Sequence, residues 1–240
     1  MRFIMLHKTN ANWEAGAIPC QNLIAQVREL IGEMAKGKVF LGAEGLRATS
    51  QGVRLKFSDG TRSVTQGPFE GDNELTAGFS ILRARSLDEA IEWASRQAQA
   101  LGDGQIDIRP VTEPWDIGMA ASPADVSTRR YMVQRKATAA TEAGVPPPPA
   151  KRAELARLTE ESTRAGVHVV TETLRPSARG RRYKNSRDGV TVTDGPFTET
   201  KELIAGYLVV SADSLYEAAR WAARYIGVVE ADEVDLLELE

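Results

Sequence analysis

Short apolar stretches at 3–6 and 131–133, each set between charged residues within 2–8 and 130–136, are too short for a helix, which predicts a strand at the start of each half of the chain. A polar loop ending at Pro19, or in the run 146–149, follows each strand. Leu23, Ile24, Val27, Leu30, Ile31 and Met34 then fall at i, i+1, i+4, i+7, i+8 and i+11. That spacing makes one face of an amphipathic helix, which Gly37 can end. The matching stretch of the second half is weaker, with Leu155 and Leu158 before Gly166.

Residues 39–41 and 167–170 read as buried strands leading to Glu44 and Glu172, and polar hairpins with Asp59-Gly60 and Asp188-Gly189 turn signals follow. Further strands are expected over 75–82 and 203–210. Ser86 with Glu89, and Ser214 with Glu217, are capping boxes that start two helices, in which the serine oxygen accepts from helix amides. These helices bury Ile91, Trp93 and Ala94, or Ala218, Trp221 and Ala222, and a last strand closes each half at 106–111 and 234–239.

The two halves are copies. Sliding the chain by 128 positions aligns residues 2–108 with 130–236 without a gap, and 36 of the 107 pairs are identical, several times the chance level, so the unit is duplicated. The expected division is a first repeat at 1–112, a linker at 113–129 and a second repeat at 130–240. The order strand, helix, strand, hairpin, strand, helix, strand is an α+β, ferredoxin-like βαββαβ unit carrying an insertion. Its helices cover one face of an antiparallel sheet and leave the other face needing a partner. Two such sheets on one chain can face each other, an intrachain pseudo-dimer resembling a dimeric α+β barrel, with the linker able to reach across a domain.

Bulk properties narrow the function classes. The net charge of −3 gives no global basic field for nucleic acid. A single cysteine, Cys20, excludes an intrachain disulfide and fits a reducing cytoplasm, and two histidines leave little for zinc. The N-terminal apolar run lacks the h-region and cleavage site of a signal peptide, and no run of about 18 apolar residues spans a membrane. The expectation is a soluble cytoplasmic protein with neither metal nor cofactor, since no phosphate loop, nucleophile elbow or dinucleotide fingerprint is present.

The most distinctive stretch is Asp194-Gly195-Pro196-Phe197 with Glu199, Lys201, Glu202 and Gly206-Tyr207. A worn copy lies at Gln66-Gly67-Pro68-Phe69 and Gly78-Phe79, where the leading acid is lost. With Glu142-Ala143-Gly144, Glu14-Ala15-Gly16 and Ala43-Glu44-Gly45-Leu46, these residues resemble the DGPF family, related to the YCII proteins, over nearly the whole chain. The resemblance implies a dimeric α+β barrel, usually built from two chains. Most members have no established reaction. Relatives in the wider group resemble small-molecule enzymes with a His-Asp pair, and DGPF proteins often accompany sigma factors.

Among single residues, Asp194 is the candidate general acid or base, because a carboxylate on a rigid turn near other acids can have its pKa raised. The structural alternative is that it caps the turn. Glu44 and Glu172 are acids in both copies, able to line a cavity between the sheets or to pair with Arg47 and Arg175. The expected activity is metal-independent acid/base chemistry, as in a lyase or isomerase, on a small polar or anionic organic molecule. Asp194, Glu172 and Glu44 are the catalytic candidates, and Arg47, Arg175, Glu199 and Lys201 the ligand-binding ones. The alternative is a regulatory interaction module, a sigma-factor partner, using the basic hairpin at 175–187 or the acidic tail. A further homodimer is compatible with either reading, whereas the hairpin lacks the aromatic interleaving expected for nucleic acid. His7 aligns with Arg135 and His168 with Phe40, so neither histidine repeats, and both read as packing residues.

Overall fold

The computed structural model describes residues 1–58, 60–71, 75–102, 104–197 and 203–240. In the first repeat, β1 (Arg2–Lys8) leads through a short α1 (Ala11–Glu14) to α2 (Gln21–Lys36) and β2 (Phe40–Gly45). The hairpin β3 (Val53–Ser58) and β4 (Thr61–Gln66), then β5 (Thr76–Ala84), α3 (Leu87–Leu101) and β6 (Gln105–Pro110) complete it. The second repeat runs β7 (Arg129–Lys136), α4 (Ala139–Glu142), α5 (Pro149–Arg164) and β8 (His168–Thr173). It continues with β9 (Arg181–Ser186), β10 (Gly189–Asp194), β11 (Ile204–Ser211), α6 (Leu215–Val228) and β12 (Glu233–Glu238). No helix among the described residues is long and apolar enough to cross a membrane.

Each element follows from its residues. The α2 stripe buries Leu23, Ile24, Leu30 and Met34. Gly37 caps this helix, but the left-handed residue is the next one, Lys38 at φ 58°. Ser86 and Ser214 cap α3 and α6, accepting from the amides of Glu89 and Glu217 at 3.1 and 3.2 Å. Both glutamates reach back one residue beyond the cap, to the amides of Arg85 and Asp213. The Asp59 half of the first hairpin turn lies outside the described residues, and Gly189 supplies the second turn with φ 114°.

Two antiparallel six-stranded sheets result, ordered β10-β9-β12-β1-β11-β2 and β4-β3-β6-β7-β5-β8. Neither belongs to one repeat. The opening strand–helix–strand of each repeat sits in the sheet built by the remainder of the other. In the first sheet β1 lies between β12 and β11, with Met5 opposite Leu236 on one side and Leu208 on the other. The expectation that each repeat folds its own sheet, with the linker crossing between them, is therefore corrected. The linker instead returns β7 antiparallel beside β6, with Ile108 opposite Val133. Chain-consecutive strands are commonly neighbours, and a crossing connection is not needed when the next strand can pair at once.

Three hydrophobic layers hold the sheets. The outer face of the first sheet packs Phe3, Met5, Leu208 and Leu236 against α2 and α6. The second sheet packs Leu55, Leu82, Ile106 and Val133 against α3, and Arg96 on α3 pairs with Glu161 on α5 at 2.6 Å. Between the sheets lies a shared core of Ile4, Leu6, Phe79, Ile81, Met132 and Tyr207. Alternation puts odd positions of β1 toward the helices and even positions toward the facing sheet. The strands expected to be buried at 39–41 and 167–170 are instead sheet edges, so Leu41 and Val169 are exposed.

Candidate active site

The Gly-Pro-Phe turns serve architecture. A Cβ on Gly67 or Gly195 would meet the carbonyl oxygen of Thr49 or Ser177 within 2 Å, at 1.9 and 1.8 Å, so only glycine lets the turn lie on that backbone. The hydroxyls of Thr49 and Ser177 accept from the amides of Phe69 and Phe197 and donate to Glu14 and Glu142. The phenylalanine rings then lie under Arg54 and Arg182, with 4.8 and 4.3 Å from guanidinium carbon to ring centre. Each arginine grips a buried aspartate, Asp107 or Asp235, that also binds Lys136 or Lys8 at 2.7 Å. Apart from Thr49, which aligns with Ser177, these residues are identical in both repeats, and the buried ion pairs among them tie the swapped strands in place.

The cavity lies elsewhere. A cleft of about 500 Å³ opens at edge strand β2, between α2, the helix-facing side of the first sheet and linker residues 112–119, and reaches round that edge to Glu44, Tyr207 and Arg130 on the side facing the second sheet. Ile18, Leu23, Ile24, Val27, Leu208 and Val229 give it apolar walls, and His7, Glu44, Arg47, Asp116, Arg130, Tyr207 and Tyr225 its polar groups. Both repeats and the linker contribute. The matching space on the second sheet is filled, with a void of only about 10 Å³. There Lys151 and Arg152 replace Leu23 and Ile24, and the Lys151 ammonium reaches the Leu101 carbonyl at 3.0 Å.

Local chemistry places each polar group. His7 rests on Gly206, where a Cβ would stand 2.6 Å from His7 Cε1. Its Nδ1 lies 2.8 Å from the Tyr225 hydroxyl, and the two rings meet edge to face. Burial, with the Arg109 guanidinium nearby, lowers the His7 pKa to about 4, so the ring is neutral at physiological pH. Burial raises the Tyr225 and Tyr207 phenols above their ordinary value. Glu44 is raised by burial, with Arg130 opposing and Glu113 adding to it. Arg130 bridges Glu44 and Glu113. Arg47 binds Asp116 at 2.8 Å, and although burial acts to raise Asp116, hydrogen bonds from Arg47 and the Glu113 amide leave it lowered.

Of the catalytic and ligand-binding candidates among the described residues, only Glu44 and Arg47 line the cleft. Asp194 ends the exposed strand β10, its side chain 75% accessible and paired with Arg181. Glu172 pairs with Arg2, and Arg175 with Glu238, away from the cleft. Glu199 and Lys201 lie outside the described residues. The cleft residues that sequence reasoning passed over are His7, Tyr225, Tyr207 and Arg130. The signal was present in the self-alignment: His7 faces Arg135, Tyr225 faces Gln97 and Tyr207 faces Phe79. Differences among acids drew attention to the second repeat, while these differences mark the site that only one end of the molecule builds.

Fold and cleft together define a duplicated α+β protein with a small-molecule-sized cleft on one flank. The YCII-related domain matches residues 1–115 and again 130–233, and the chain belongs to that family, carrying the domain twice. No curated protein and no solved structure matches it.

Proposed function

We propose that the protein binds a small, largely apolar organic molecule in the cleft and moves a proton on it through Glu44, in the manner of a lyase or isomerase. The observation that carries this is the cleft itself: about 500 Å³, apolar walls and a few polar groups, the usual dimensions and lining of a small-molecule site. Glu44 supports the proton-transfer part, because burial makes its carboxylate a stronger base than an exposed one, while Arg130 helps hold it ionised. The facing sheets and their shared core support reading the molecule as an intrachain form of the dimeric α+β barrel, with the site on one flank.

The test is a thermal-shift screen of small carbonyl compounds and organic acids against the native chain and the cleft-filling variant Ala43→Phe. A ligand at 100 times its Kd stabilises the native state by about 2.7 kcal/mol. The expected outcome is a shift in the native chain that Ala43→Phe abolishes without unfolding. Glu44→Gln is expected to keep that shift and lose turnover. A ligand that stabilises Ala43→Phe equally binds somewhere else and would remove the cleft from the account.

A further inference from the structure

We infer that the His7–Tyr225 pair is a receptor for a carbonyl oxygen: Tyr225 fixes the imidazole as its Nε2–H tautomer, and that N–H is offered to an uncharged carbonyl compound in the cleft. This rests on the cleft being a ligand site.

The geometry of the pair decides the tautomer. Tyr225 is buried, with 3% of its surface accessible, and its hydroxyl has no hydrogen-bond partner among the described residues other than His7 Nδ1 at 2.8 Å. A buried phenol O–H left without an acceptor loses its water hydrogen bond with nothing in return, so its single proton points at Nδ1. Nδ1 is therefore bare, and the one proton of the neutral ring sits on Nε2. The rest of the ring is fixed by the edge-to-face contact with Tyr225 and by Gly206 beneath it. Among the described residues Nε2 has no protein partner, and His7 lines the cleft.

A neutral imidazole N–H held this way polarises a carbonyl without giving up its proton. The positive charge of Arg109, which His7 feels, favours an electron-rich atom there. Arg47 and Arg130 are already matched by Asp116, Glu44 and Glu113, which disfavours a fully charged anion at the inner wall. At the matching place on the second sheet, where only a void of about 10 Å³ is left among the described residues, Arg135 and Gln97 hold the equivalent positions.

The experiment has two arms. The first is imidazole nitrogen NMR of the histidine-labelled chain, which has only two histidines, so His168→Gln assigns them. His7 is expected with Nε2 protonated and Nδ1 bare at neutral pH; a protonated Nδ1 overturns the inference whatever becomes of the cleft. The second compares acetophenone with α-methylstyrene, which has the same shape with the carbonyl oxygen replaced by a methylene, by ligand-observed NMR. Acetophenone is expected to bind about tenfold more tightly, as one well-placed hydrogen bond allows, to move the His7 Nε2 signal, and to lose its advantage in Tyr225→Phe. Equal binding of both probes, lost in Ala43→Phe, would keep the cleft as a ligand site and overturn the carbonyl receptor. Binding of neither to the native chain would overturn both readings.

Discussion

His7 is charged at different pH values in the two states of the chain. Unfolded, it takes a proton near 6.5; folded, at about 4. Between those values the unfolded chain binds more protons, so stability rises with pH there, is complete above about 6.5 and is lost as pH falls toward 4. The linked effect is on the order of 2–3 kcal/mol, an upper figure because the cleft admits water. Arg109 is the charged group that acts on His7; Glu44, whose pKa is raised, acts in the opposite direction. Comparing the native chain with His7→Gln cancels these common terms. Urea unfolding at about pH 7 and about pH 4.5 is expected to show the native chain losing roughly 2–3 kcal/mol more than the variant. Matching pH responses would mean that His7 is not a buried neutral imidazole. This residue was within reach of the sequence, since His7, Tyr207 and Tyr225 all stand where the other repeat has a different chemistry. What no sequence pattern carried was that β1 and α6, from different repeats, meet on one face of one sheet.

At the scale of elements, some of the identical pairs in the self-alignment shape turns and others tie strands together. Asp107 joins β6 to β3 through Arg54 and to β7 through Lys136; Asp235 joins β12 to β9 through Arg182 and to β1 through Lys8. Both carboxyls are almost fully buried, and although burial acts to raise them, the paired cations hold both below the ordinary range. Asp107→Asn would remove the buried carboxylate that Lys136 and Arg54 share, at a cost of about 3–5 kcal/mol. Asp194, the acid of the most conspicuous motif, makes an exposed pair with Arg181, and Asp194→Asn should cost no more than about 1 kcal/mol. Urea midpoints of the two variants check the ordering; equal losses would contradict it. The strands, helices and caps were legible because periodicity and capping are local. Strand partners were not, because Lys8 and Lys136 look alike in either sheet, and only the linker's short return decides which one receives β7.

The whole molecule is held by that exchange. β1 is flanked by β12 and β11, and β7 by β6 and β5, so the central strand of each sheet is supplied by the other repeat. The chain ends meet as the linker ends do, with the Leu239 amide bonded to the Arg2 carbonyl and the Val111 amide to the Arg130 carbonyl. Residues 118–127 of the linker are exposed and make no strand. Cutting there severs a connection without removing a sheet partner. A protease site placed at residues 121–126 and cleaved should therefore yield two fragments that co-elute at the mass of the intact 26.2 kDa chain, because separating them would strip the central strand from both sheets. The cleaved complex should unfold in a concentration-dependent way, as a dimer does. It should also retain the stabilising effect of any cleft ligand, since walls from both fragments stay in contact. Two folded fragments eluting separately would instead show each repeat closing its own sheet. In that arrangement β1 and β11, and with them His7 and Gly206, would no longer be neighbours, and the cleft could not have its present form.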